Sequence, residues 1–584
     1  MTGRAEDRRG GLGWTALAAG AGRPRRPRAA AWSEAPAPGL FLPACLAPAL
    51  PGHPAICFAD GGARPGPLPD PGAIRAERLF WPAVRHDAVE AETVLLLSPG
   101  ERPEALEPSL RARFGPDLVV VGPGRAAPDM SHVRPDRLRR VVAAEGAPAL
   151  LWAALAGLGV HAVSPPGAAR PGAGHGGAGA GGAGHGGAAD GAGARTRPDL
   201  SAWLSRLRWR DPWTGREVDA AAGIEAAAAL RRAAQANDRP VVTAGFTPWK
   251  RRCTAPFLRG PCGPPRACRT PEAAAELAAR IGGRVAVWGM RDAPAPRPGL
   301  APAWRLEDGF IRSVGLGLQH TPPASLCVAE HGLHFDAHAD SDFARIARGA
   351  DYPPALLARA ARLRARMTAE GVTKYNLAGD APLPETDRPR LLVAGQVEDD
   401  ASIRHGAPGL ATNAALLQAA RARRPDAFIL WRPHPDVLTG MRPGAVPPEV
   451  VAACADAAAE GASTEACLDW AGEVECITSQ IGFEALLRGR RAAVHGRPFY
   501  AGWGLTEELS APGFSRGRRL TLDMLAAAAL ILYPRCIDPA TRLPCTPERL
   551  LDALAEERAA AATLKARARR AARRGASWAL NRLR

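Results

Sequence analysis

The amino-acid sequence predicts an α/β fold with two Rossmann-type lobes, preceded by a truncated, degenerate copy of the same module. Over residues 239–557, short β-rich runs alternate with longer Ala/Leu/Arg stretches of helical period, which is typical of parallel strands joined by helices. The runs form two groups, one on each side of the loop 378–390. Similar segments recur before residue 239, and internal repetition indicates a duplicated module.

Three pairs of segments carry the repeat. "WRDPWTGREVD", from Trp209, matches "YPRCIDPATRLPC", from Tyr533. "RARFGPDLVVVGPGRAAPD" parallels "RARRPDAFILWRPHPDV", and "ETVLLLSPGERPE" parallels "PRLLVAGQVEDDA". The earlier copy keeps the apolar strand runs but lacks the polar residues that follow them. We therefore interpret it as a catalytically inactive module with a docking or scaffolding role.

Composition sets the predicted boundaries. Residues 166–200 are Gly/Ala-rich and carry too little apolar surface to fold, so they predict a flexible linker. The other predicted segments are a disordered basic arm (1–40), the degenerate module (41–165) with its end (201–238), the N-terminal lobe of the intact module (239–385), its C-terminal lobe (386–557), and a basic amphipathic tail (558–584).

Within the intact module, each predicted strand is a β-rich run that ends in a turn. In chain order, the runs are "RPVVTAGF", "GRVAVWGM", "PAWRLEDGF", "RLLVAG", "AFILWRPHP", "EVECITSQ" and "RAAVHG". Helices are predicted between them, among them "PALLARAARLRARMTAEG" and "FEALLRGR". This alternation predicts parallel sheets covered by helices on both faces.

Polar residues follow four of these strands: Glu307 and Asp308, Glu398 to Asp400, Arg432 and His434, and Ser479 and Gln480. Ligands of such sheets bind beyond the carboxyl ends of the strands. Four polar clusters at four strand ends therefore predict one cleft in preference to four solvated loops. Carboxylates facing Arg, His, Ser and helix N-termini suit an anionic, phosphate-bearing donor together with an acid, a base or a nucleophile.

Several other classes of protein are disfavoured. The sequence has no GxxxxGK[ST] motif, which disfavours a P-loop ATPase, and its GxG fragments do not open a helix after a strand, which disfavours an NAD enzyme. Eleven scattered cysteines without a CxxC pair predict a reducing, cytoplasmic interior and no zinc site. The net charge of +17 reflects an arginine-rich composition, and no nucleic-acid-reading motif accompanies it.

Five motifs in order carry a family resemblance: "WRLEDGFIRSVGLG", "TKYNL", "GQVEDDASI", "RPHPDV" and "TSQIGFEALLRGRRAAVHGRPFYAGWGLTEE". Together they resemble the capsular-polysaccharide β-Kdo transferases of the KpsC/LipB type, Kdo being an acidic octulosonic sugar. The resemblance implies a GT-B-like pair of lobes, with CMP bound by the C-terminal lobe. It also implies retaining transfer of Kdo from CMP-Kdo to a lipid-linked, phosphatidylglycerol-type Kdo acceptor.

The resemblance also implies residue roles. Asp400 becomes the candidate nucleophile, and Glu307 the general acid/base, with Asp308 as the alternative. His434 and Ser479 would bind the CMP phosphate, Glu484 the ribose, and Arg432 and Arg312 the Kdo carboxylate or the phosphate. Gln480 and Gly482 complete the predicted donor site. Because these cations can neutralise the departing CMP, we expect neither a metal nor another cofactor.

Some assignments keep an alternative. Asp308 would otherwise cap the turn at Gly309, and Glu484 would otherwise be a favourable charge near a helix N-terminus. Lys374, Asn376, Tyr500 and Trp503 are interpreted as either acceptor contacts or structural residues. The segment "PPASLCVAEHGLHFDA" departs from the family pattern at Ala329 and at the pair His334 and Phe335, which affects acceptor geometry more than donor chemistry.

The expected partners follow from the same resemblance. After Glu557 the sequence has nine Arg/Lys residues and no acid, on an alanine-rich helix that suits an anionic membrane surface, a solvated helix end or a partner. We expect a cytoplasmic protein peripheral to the inner membrane that works with the capsule export machinery and binds no nucleic acid. The alternative function is a non-catalytic scaffold subunit of that machinery.

Overall fold

The computed structural model describes residues 211–561, apart from 296, 299, 316–320, 378 and 511, together with the backbone of eight earlier strands. The chain divides into two compact units, Met1–Ala234 and Gln235–Arg584. The predicted arm, the predicted linker and the predicted tail beyond 561 lie outside the described residues. No helix in the described part is long and apolar enough to span a membrane.

The described part of the first unit contains three small sheets. One is parallel with the order β4-β3-β6-β7, one is antiparallel with the order β1-β8-β9, and β2 pairs with β5. The elements are β1 (Ile56–Phe58), β2 (Val89–Glu90), β3 (Thr93–Leu96), β4 (Leu118–Val121), β5 (Val133–Arg134), β6 (Arg140–Ala144), β7 (Gly159–Val163), β8 (Leu207–Arg210), β9 (Glu217–Val218) and α1 (Ala220–Gln235).

The second unit contains two sheets with helices around them. Its strands are β10 (Val241–Ala244), β11 (Arg266–Cys268), β12 (Arg284–Trp288), β13 (Ala301–Asp308), β14 (Ser325–Ala329), β15 (Arg390–Ala394), β16 (Phe428–Arg432), β17 (Ala457–Ala458), β18 (Glu473–Cys476), β19 (Arg491–Val494), β20 (Glu507–Glu508), β21 (Pro534–Ile537) and β22 (Pro544–Cys545). Its helices are α2 (Pro248–Leu258), α3 (Pro271–Arg280), α4 (Asp342–Gly349), α5 (Pro354–Ala369), α6 (Ala401–Gly406), α7 (Asn413–Arg423), α8 (Pro435–Leu438), α9 (Pro448–Cys454), α10 (Thr464–Trp470), α11 (Gln480–Leu487), α12 (Leu522–Ala526), which continues as a π-helical turn (Ala527–Leu532), and α13 (Pro547–Ala561). All seven predicted strands are confirmed.

The C-terminal lobe contains the parallel sheet that the sequence predicts. Its order is β17-β16-β15-β18-β19-β20, and every pairing is parallel. The middle strands β15 and β18 are almost wholly buried because helices cover both faces of the sheet. The strand β15 is an apolar run, whereas the two buried glutamates of β18 pair with Arg423 and His495. The carboxyl ends of the parallel strands therefore meet at one edge, where α6, α8 and α11 begin.

The N-terminal lobe differs from the prediction. Its sheet has the order β11-β10-β12-β13-β14-β21-β22, and only the first four strands are parallel. The strands β21 and β22 belong to this sheet, although the sequence assigns residues 386–557 to the C-terminal lobe. The error arises because residue pattern predicts that a strand exists but not which edge it joins: β21 pairs antiparallel with β14, with Cys536 opposite Ser325.

An aromatic cluster lies between the two lobes. The rings of Phe310, from the N-terminal lobe, and Phe499, from the C-terminal lobe, stack with centroids 4.2 Å apart. Phe343, Phe483 and Tyr533 surround this pair. Because all five rings are buried in one core, the cluster holds the facing edges of the two sheets in a fixed relation.

The repeat predicted from the sequence has a structural counterpart in each unit. The hairpins β8-β9 and β21-β22 share a register, since Trp209 pairs with Val218 and Cys536 with Cys545. In both turns an aspartate, Asp211 or Asp538, accepts two backbone N–H bonds. A left-handed residue follows in each turn, a helix begins soon after, and the sheets β4-β3-β6-β7 and β16-β15-β18-β19 have equivalent strand orders. That the first copy is a degenerate enzyme module stays a prediction.

Candidate active site

A cavity of about 280 Å³ lies between the strand ends of the two lobes of the second unit. All four polar clusters predicted from the sequence contribute to its lining. Those lining residues are Glu307, Asp308, Asp400, Arg432, His434, Ser479 and Gln480. Parallel strands place their carboxyl ends at one edge, so residues distant in sequence converge there.

Glu307 and Asp308 end β13 and have different surroundings. Asp308 accepts a hydrogen bond from Arg312 Nε to its Oδ2 at 2.6 Å, while its buried Oδ1 has no partner among the described residues. Glu307 Oε1 accepts the backbone N–H of Asp308 at 3.0 Å. Burial, and next the negative charge of Asp308, raise the pKa of Glu307 to about 7. A carboxyl with that pKa can both take up and release a proton near neutral pH.

Asp400 is the N-cap of α6. Its Oδ1 accepts hydrogen bonds from the backbone N–H of Ser402 at 2.9 Å and from the Ser402 hydroxyl at 2.7 Å. Its Oδ2 accepts none from the described residues. The cap therefore orients the carboxylate and leaves one oxygen for a ligand.

Asp399, the neighbour of Asp400, lies outside the cavity lining. It pairs with Arg442, whose Nη2 is 2.6 Å from Asp399 Oδ1.

His434 is the N-cap of α8 and faces the cavity. Its Nδ1 accepts the backbone N–H of Asp436 at 3.1 Å, so the proton of the neutral ring is on Nε2. Burial, and next the positive charge of Lys374, lower the pKa of His434 to about 4. The ring is therefore neutral at pH 7, and its Nε2–H can donate to a ligand without becoming charged.

Arg432 ends β16 and is held by the C-terminal lobe. Its Nη1 donates to the carbonyl of Ala462 at 2.9 Å, and its Nη2 donates to Thr464 Oγ1 at 2.9 Å. A guanidinium has five N–H donors, so further donors remain for an anion in the cavity.

The turn after β18 places Ser479 at the N-terminus of α11. The Ser479 hydroxyl accepts the N–H of Ile481, so its own proton can be donated to a ligand. Gly482 is not a lining residue. A Cβ at this position would lie 2.3 Å from the hydroxyl oxygen of Tyr500, which shows that Gly482 admits that ring. The sequence predicts that Gly482 contacts the donor, whereas in the structure Gly482 packs against Tyr500.

Glu484 binds the protein as well as lining the cavity. Its Oε1 accepts the backbone N–H of Lys374 at 2.8 Å and the side-chain amide of Gln480 at 3.2 Å, and Gln480 also donates to the carbonyl of Phe310. Burial raises the pKa of Glu484 above its ordinary value. These hydrogen bonds connect the loop around Lys374 to α11. Glu484 is buried, so it does more than supply a favourable charge near the helix N-terminus.

Lys374 lies in the cavity wall between the acidic groups. Burial alone would lower its pKa, but the acidic groups of Tyr375, Asp308, Glu307 and Asp400 together raise it above the ordinary value. The ammonium is therefore charged at neutral pH. Its positive charge lies close to the carboxylates of the site and offsets part of their negative charge. The sequence had left Lys374 open as either an acceptor contact or a structural residue.

Arg312 and Asn376 lie behind the cavity wall. The guanidinium of Arg312 is buried and donates to Asp308, Ser313 and the carbonyl of Thr321. Asn376 has a φ of 49° and bonds Thr373 and the carbonyl of Ser313. Neither lines the cavity. In this structure Arg312 acts on the site through Asp308, and Asn376 holds the turn.

Tyr500 and Trp503 are fully buried, so of the two roles left open by the sequence, acceptor contact or structural residue, the structure favours the structural one. The Tyr500 hydroxyl donates to the carbonyl of Ser479 at 2.5 Å, and Trp503 Nε1 donates to the carbonyl of Phe499 at 2.8 Å. Tyr500 therefore stabilises the turn that presents Ser479.

Sequence reasoning missed several residues of the cavity. Ser402 orients Asp400, and the spacing Asp-x-Ser at a helix start is a capping signal that the sequence does contain. Gln396 bonds Thr478 through both ends of its amide, which ties the ends of β15 and β18 together. His334, noted only as a departure from the family pattern, lines the cavity beside Phe310, and its Nδ1 is buried without a partner among the described residues.

Similar proteins give the site a family context. Residues 351–535 match the family model described as "Capsule polysaccharide biosynthesis protein". The chain is 37% identical over 345 residues to the "Capsule polysaccharide modification protein LipA" of Neisseria meningitidis serogroup A, covering 58% of this chain and 49% of that protein. It is 42% identical over 257 residues to the "Lipopolysaccharide-processing protein LpsZ" of Rhizobium meliloti, covering 42% of this chain and 58% of that protein. The chain thus spans about half the length of the curated relatives it matches.

Two solved structures are also similar. The KpsC β-Kdo 2,7 transferase of Thermosulfurimonas dismutans is 31% identical, with 55% of this chain and 99% of that chain covered and a TM-score of 0.46. The KpsC β-Kdo 2,4 transferase of the same organism is 30% identical, with 54% and 98% covered and a TM-score of 0.47.

Two sheets with helices around them face one cavity and define a two-lobed α/β protein. The five sequence motifs, the family model and the shared sequence identity agree with one another. The chain belongs to the KpsC/LipB-type capsule Kdo transferase family.

Proposed function

We propose that the second unit is a retaining β-Kdo glycosyltransferase that transfers Kdo from CMP-Kdo to a lipid-linked, phosphatidylglycerol-type Kdo acceptor in capsule polysaccharide biosynthesis and export. The observation that carries the proposal is the convergence of two carboxyls in one cavity. Asp400 is capped and has one oxygen without a hydrogen bond from the described residues, and Glu307 has a pKa of about 7. The sequence identity of 30–31% to chains described as β-Kdo transferases supports the proposal.

The donor half of the proposal rests on the C-terminal lobe. Arg432 supplies positive charge, His434 supplies its Nε2–H, and Ser479 supplies a hydroxyl at the N-terminus of α11. These groups together suit the phosphate of CMP or the carboxylate of Kdo. Glu484 keeps its proposed contact with the ribose through Oε2, because its Oε1 is bound by Lys374 and Gln480.

In the first step, the Asp400 carboxylate forms a bond to the anomeric carbon of Kdo while the bond from that carbon to the CMP phosphate breaks. The electron pair leaves with CMP, and nearby cations stabilise the phosphate. In the second step, an acceptor hydroxyl attacks the same carbon and Asp400 departs as a carboxylate. Glu307 takes the hydroxyl proton, and two inversions at one carbon give net retention.

Asp400→Asn is the variant that tests this mechanism. Asparagine keeps an oxygen that can cap Ser402 but is a poor nucleophile, so we expect transfer to fall by about a hundredfold or more with the fold unchanged. The assay follows CMP release and product linkage with CMP-Kdo and a synthetic mono-Kdo lipid. A covalent Kdo adduct in a slowed variant, detected by mass spectrometry, would support Asp400 as nucleophile.

Two results would count against the proposal. Near wild-type activity of the Asp400→Asn variant would remove Asp400 as nucleophile. A folded wild-type chain that releases no CMP with donor and acceptor present would favour the scaffold function.

The proposed location follows from the acceptor. A lipid-linked acceptor requires the cavity to work at a membrane surface, and the basic segment after Glu557 suits anionic headgroups. We therefore propose a cytoplasmic protein that binds the inner membrane peripherally and works beside the capsule export machinery. Sedimentation with vesicles rich in phosphatidylglycerol, compared at low and high salt, tests this location.

A further inference from the structure

The N-terminal lobe presents a second group of side chains at the edge where β10, β12 and β13 end. Trp288, at the end of β12, pairs in register with Leu306, the residue that precedes Glu307 in β13. Gly289 follows with a φ of 58°, and a Cβ placed there would lie 3.7 Å from Glu307 Oε2. That oxygen accepts no hydrogen bond from the described residues. It therefore faces this edge of the sheet.

Lys250 lies at the same edge, in the first turn of α2. Its Nζ is 3.6 Å from the centroid of the Trp288 ring. Within the described part of the chain, the ammonium makes neither a hydrogen bond nor an ion pair. Phe246 packs edge-on against the same indole, with ring centroids 6.4 Å apart. The cation thus lies on an aromatic surface, and no anionic group of the described residues pairs with it.

The surrounding charges explain why this lysine is suited to bind an anion. Burial lowers the pKa of Lys250 to about 8, while Glu307 and Asp308 attract its charge and Arg291 and Arg312 oppose it. An ammonium that is partly removed from water gains from any anion that replaces the lost hydration.

The loop after β12 is rigid enough to serve as one wall of a binding site. Arg305 Nη1 donates to the carbonyls of Gly289 and Arg291, at 3.0 Å and 2.8 Å. Arg291 Nη1 in turn donates to the carbonyl of Gly245 at 3.2 Å, which joins the ends of β10 and β12. Arg291 thus adds a second cation to this edge.

We propose that Lys250, seated on Trp288, binds an anionic group of the acceptor and so sets the acceptor hydroxyl against Glu307. The inference rests on the proposed function and deepens it. The donor groups all lie on the C-terminal lobe, whereas Lys250 is on the N-terminal lobe, outside the cavity lining but close enough to Glu307 for their charges to interact. The anion is either the carboxylate of the acceptor sugar or the phosphate of its lipid carrier.

Lys250→Gln is the test variant, and Arg251→Gln, which removes an exposed charge one residue further along α2, is its matched control. We expect Lys250→Gln to raise the acceptor KM about tenfold or more, because a charge-assisted contact is lost. The donor KM and the slow release of CMP without acceptor stay unchanged. The probes are a synthetic mono-Kdo lipid, the same lipid with its carboxyl reduced, and the same sugar without the phosphate.

The probes separate the two sources of the anion. If Lys250 binds the carboxylate, the reduced lipid has a raised acceptor KM with the wild type, by the same factor that Lys250→Gln raises the KM of the intact lipid. With Lys250→Gln, the reduced and the intact lipid then have the same acceptor KM. If the phosphate is bound, the phosphate-free sugar behaves in this way instead. In the wild type, the acceptor KM also rises as the pH increases above about 8, because the ammonium loses its proton, and this dependence disappears in the variant.

Three outcomes would overturn the inference. One is an unchanged acceptor KM in Lys250→Gln, and another is an equal increase in Arg251→Gln. The third comes from calorimetry of the acceptor binding to the wild type and the variant, which needs no turnover: equal affinities would reject the Lys250 contact even if the proposed transferase activity were wrong. Absence of turnover in the wild type, with the affinities differing, would reject the proposed function alone.

Discussion

At the residue scale, Glu307 and Asp308 show how neighbours assign different chemistry to two adjacent carboxyls. Asp308 forms a 2.6 Å ion pair with Arg312, whereas Glu307 is buried without a cation in such contact among the described residues and lies beside the negative charge of Asp308. Two titratable groups with contrasting environments are typical of an acid/base site. The raised pKa of Glu307, about 7, makes it the better base for an acceptor hydroxyl.

This contrast predicts a pH dependence. Glu307 must be ionised to accept a proton, so kcat/KM for the transfer rises as the pH increases through about 7. Asp308→Asn removes the neighbouring negative charge and lowers the pKa of Glu307, so this rise moves to lower pH. The measurement is the pH profile of both proteins from pH 5 to 9, where these limits are about two units on either side of the pKa. An unmoved profile in Asp308→Asn would show that a different group acts as the base.

At the element scale, the start of α11 depends on close packing against the loop that follows β19. Gly482 lies where a side chain would collide with Tyr500, and Tyr500 donates to the carbonyl of Ser479. The packing of α11 therefore sets the position of the Ser479 hydroxyl. This link explains why a fully buried tyrosine affects the shape of the cavity without touching a ligand.

Gly482→Ala tests that packing. The added Cβ would lie 2.3 Å from the Tyr500 hydroxyl oxygen, so we expect the free energy of unfolding to fall by about 1–3 kcal/mol. Gly349→Ala is the control, because a Cβ at the end of α4 meets nothing within 4 Å. Urea unfolding of both variants measures the difference. An equal free energy of unfolding for the two variants would show that Tyr500 moves aside without destabilising the fold.

At the scale of the whole molecule, the cavity is formed jointly by two lobes that one aromatic cluster holds together. Phe310 joins β13 and its carboxyls to this cluster, while Phe483 and Phe499 join α11 and β19 to it. A ligand that contacts both walls of the cavity therefore binds the folded unit and not the unfolded chain. Its binding free energy adds to the stability of the second unit.

CMP provides the corresponding measurement. At about one hundred times its Kd, CMP should stabilise the fold by about 2.7 kcal/mol, which appears as a rise in the Tm of the second unit's transition. AMP at the same concentration is the control for a general phosphate effect. An equal rise with AMP, or none with CMP, would contradict a cytidine-nucleotide site in this cavity.

The positions of β15 and β16 were predictable from sequence because these strands are apolar runs, as expected of strands buried on both faces. The strand β18 also contains two buried glutamates, which pair with Arg423 and His495. The convergence of Asp400, His434 and Ser479 was predictable for a related reason. Each follows a strand of the C-terminal sheet, and the carboxyl ends of parallel strands share one edge. Glu307 joins them from the end of β13, in the sheet of the facing lobe.

The strands β21 and β22 were assigned to the wrong lobe because a short strand pattern contains no information about its partner. The pairing with β14 depends on the chain returning across both lobes, which no local signal records. The roles of Gly482, Tyr500 and Arg312 were open for a similar reason. Each depends on which side chain lies opposite in space, and that neighbour is distant in sequence.

The sequence by itself therefore determined the two-lobed α/β organisation of the second unit, seven of its strands and the four polar clusters of the cavity, because these follow from residue pattern along the chain. Only the tertiary structure decided how those residues differ. It capped Asp400 through Ser402, paired Asp308 with Arg312, buried Glu307 and placed Lys250 on Trp288. Hydrogen bonding, burial and neighbouring charge act across space, so these properties exist only once the chain has folded.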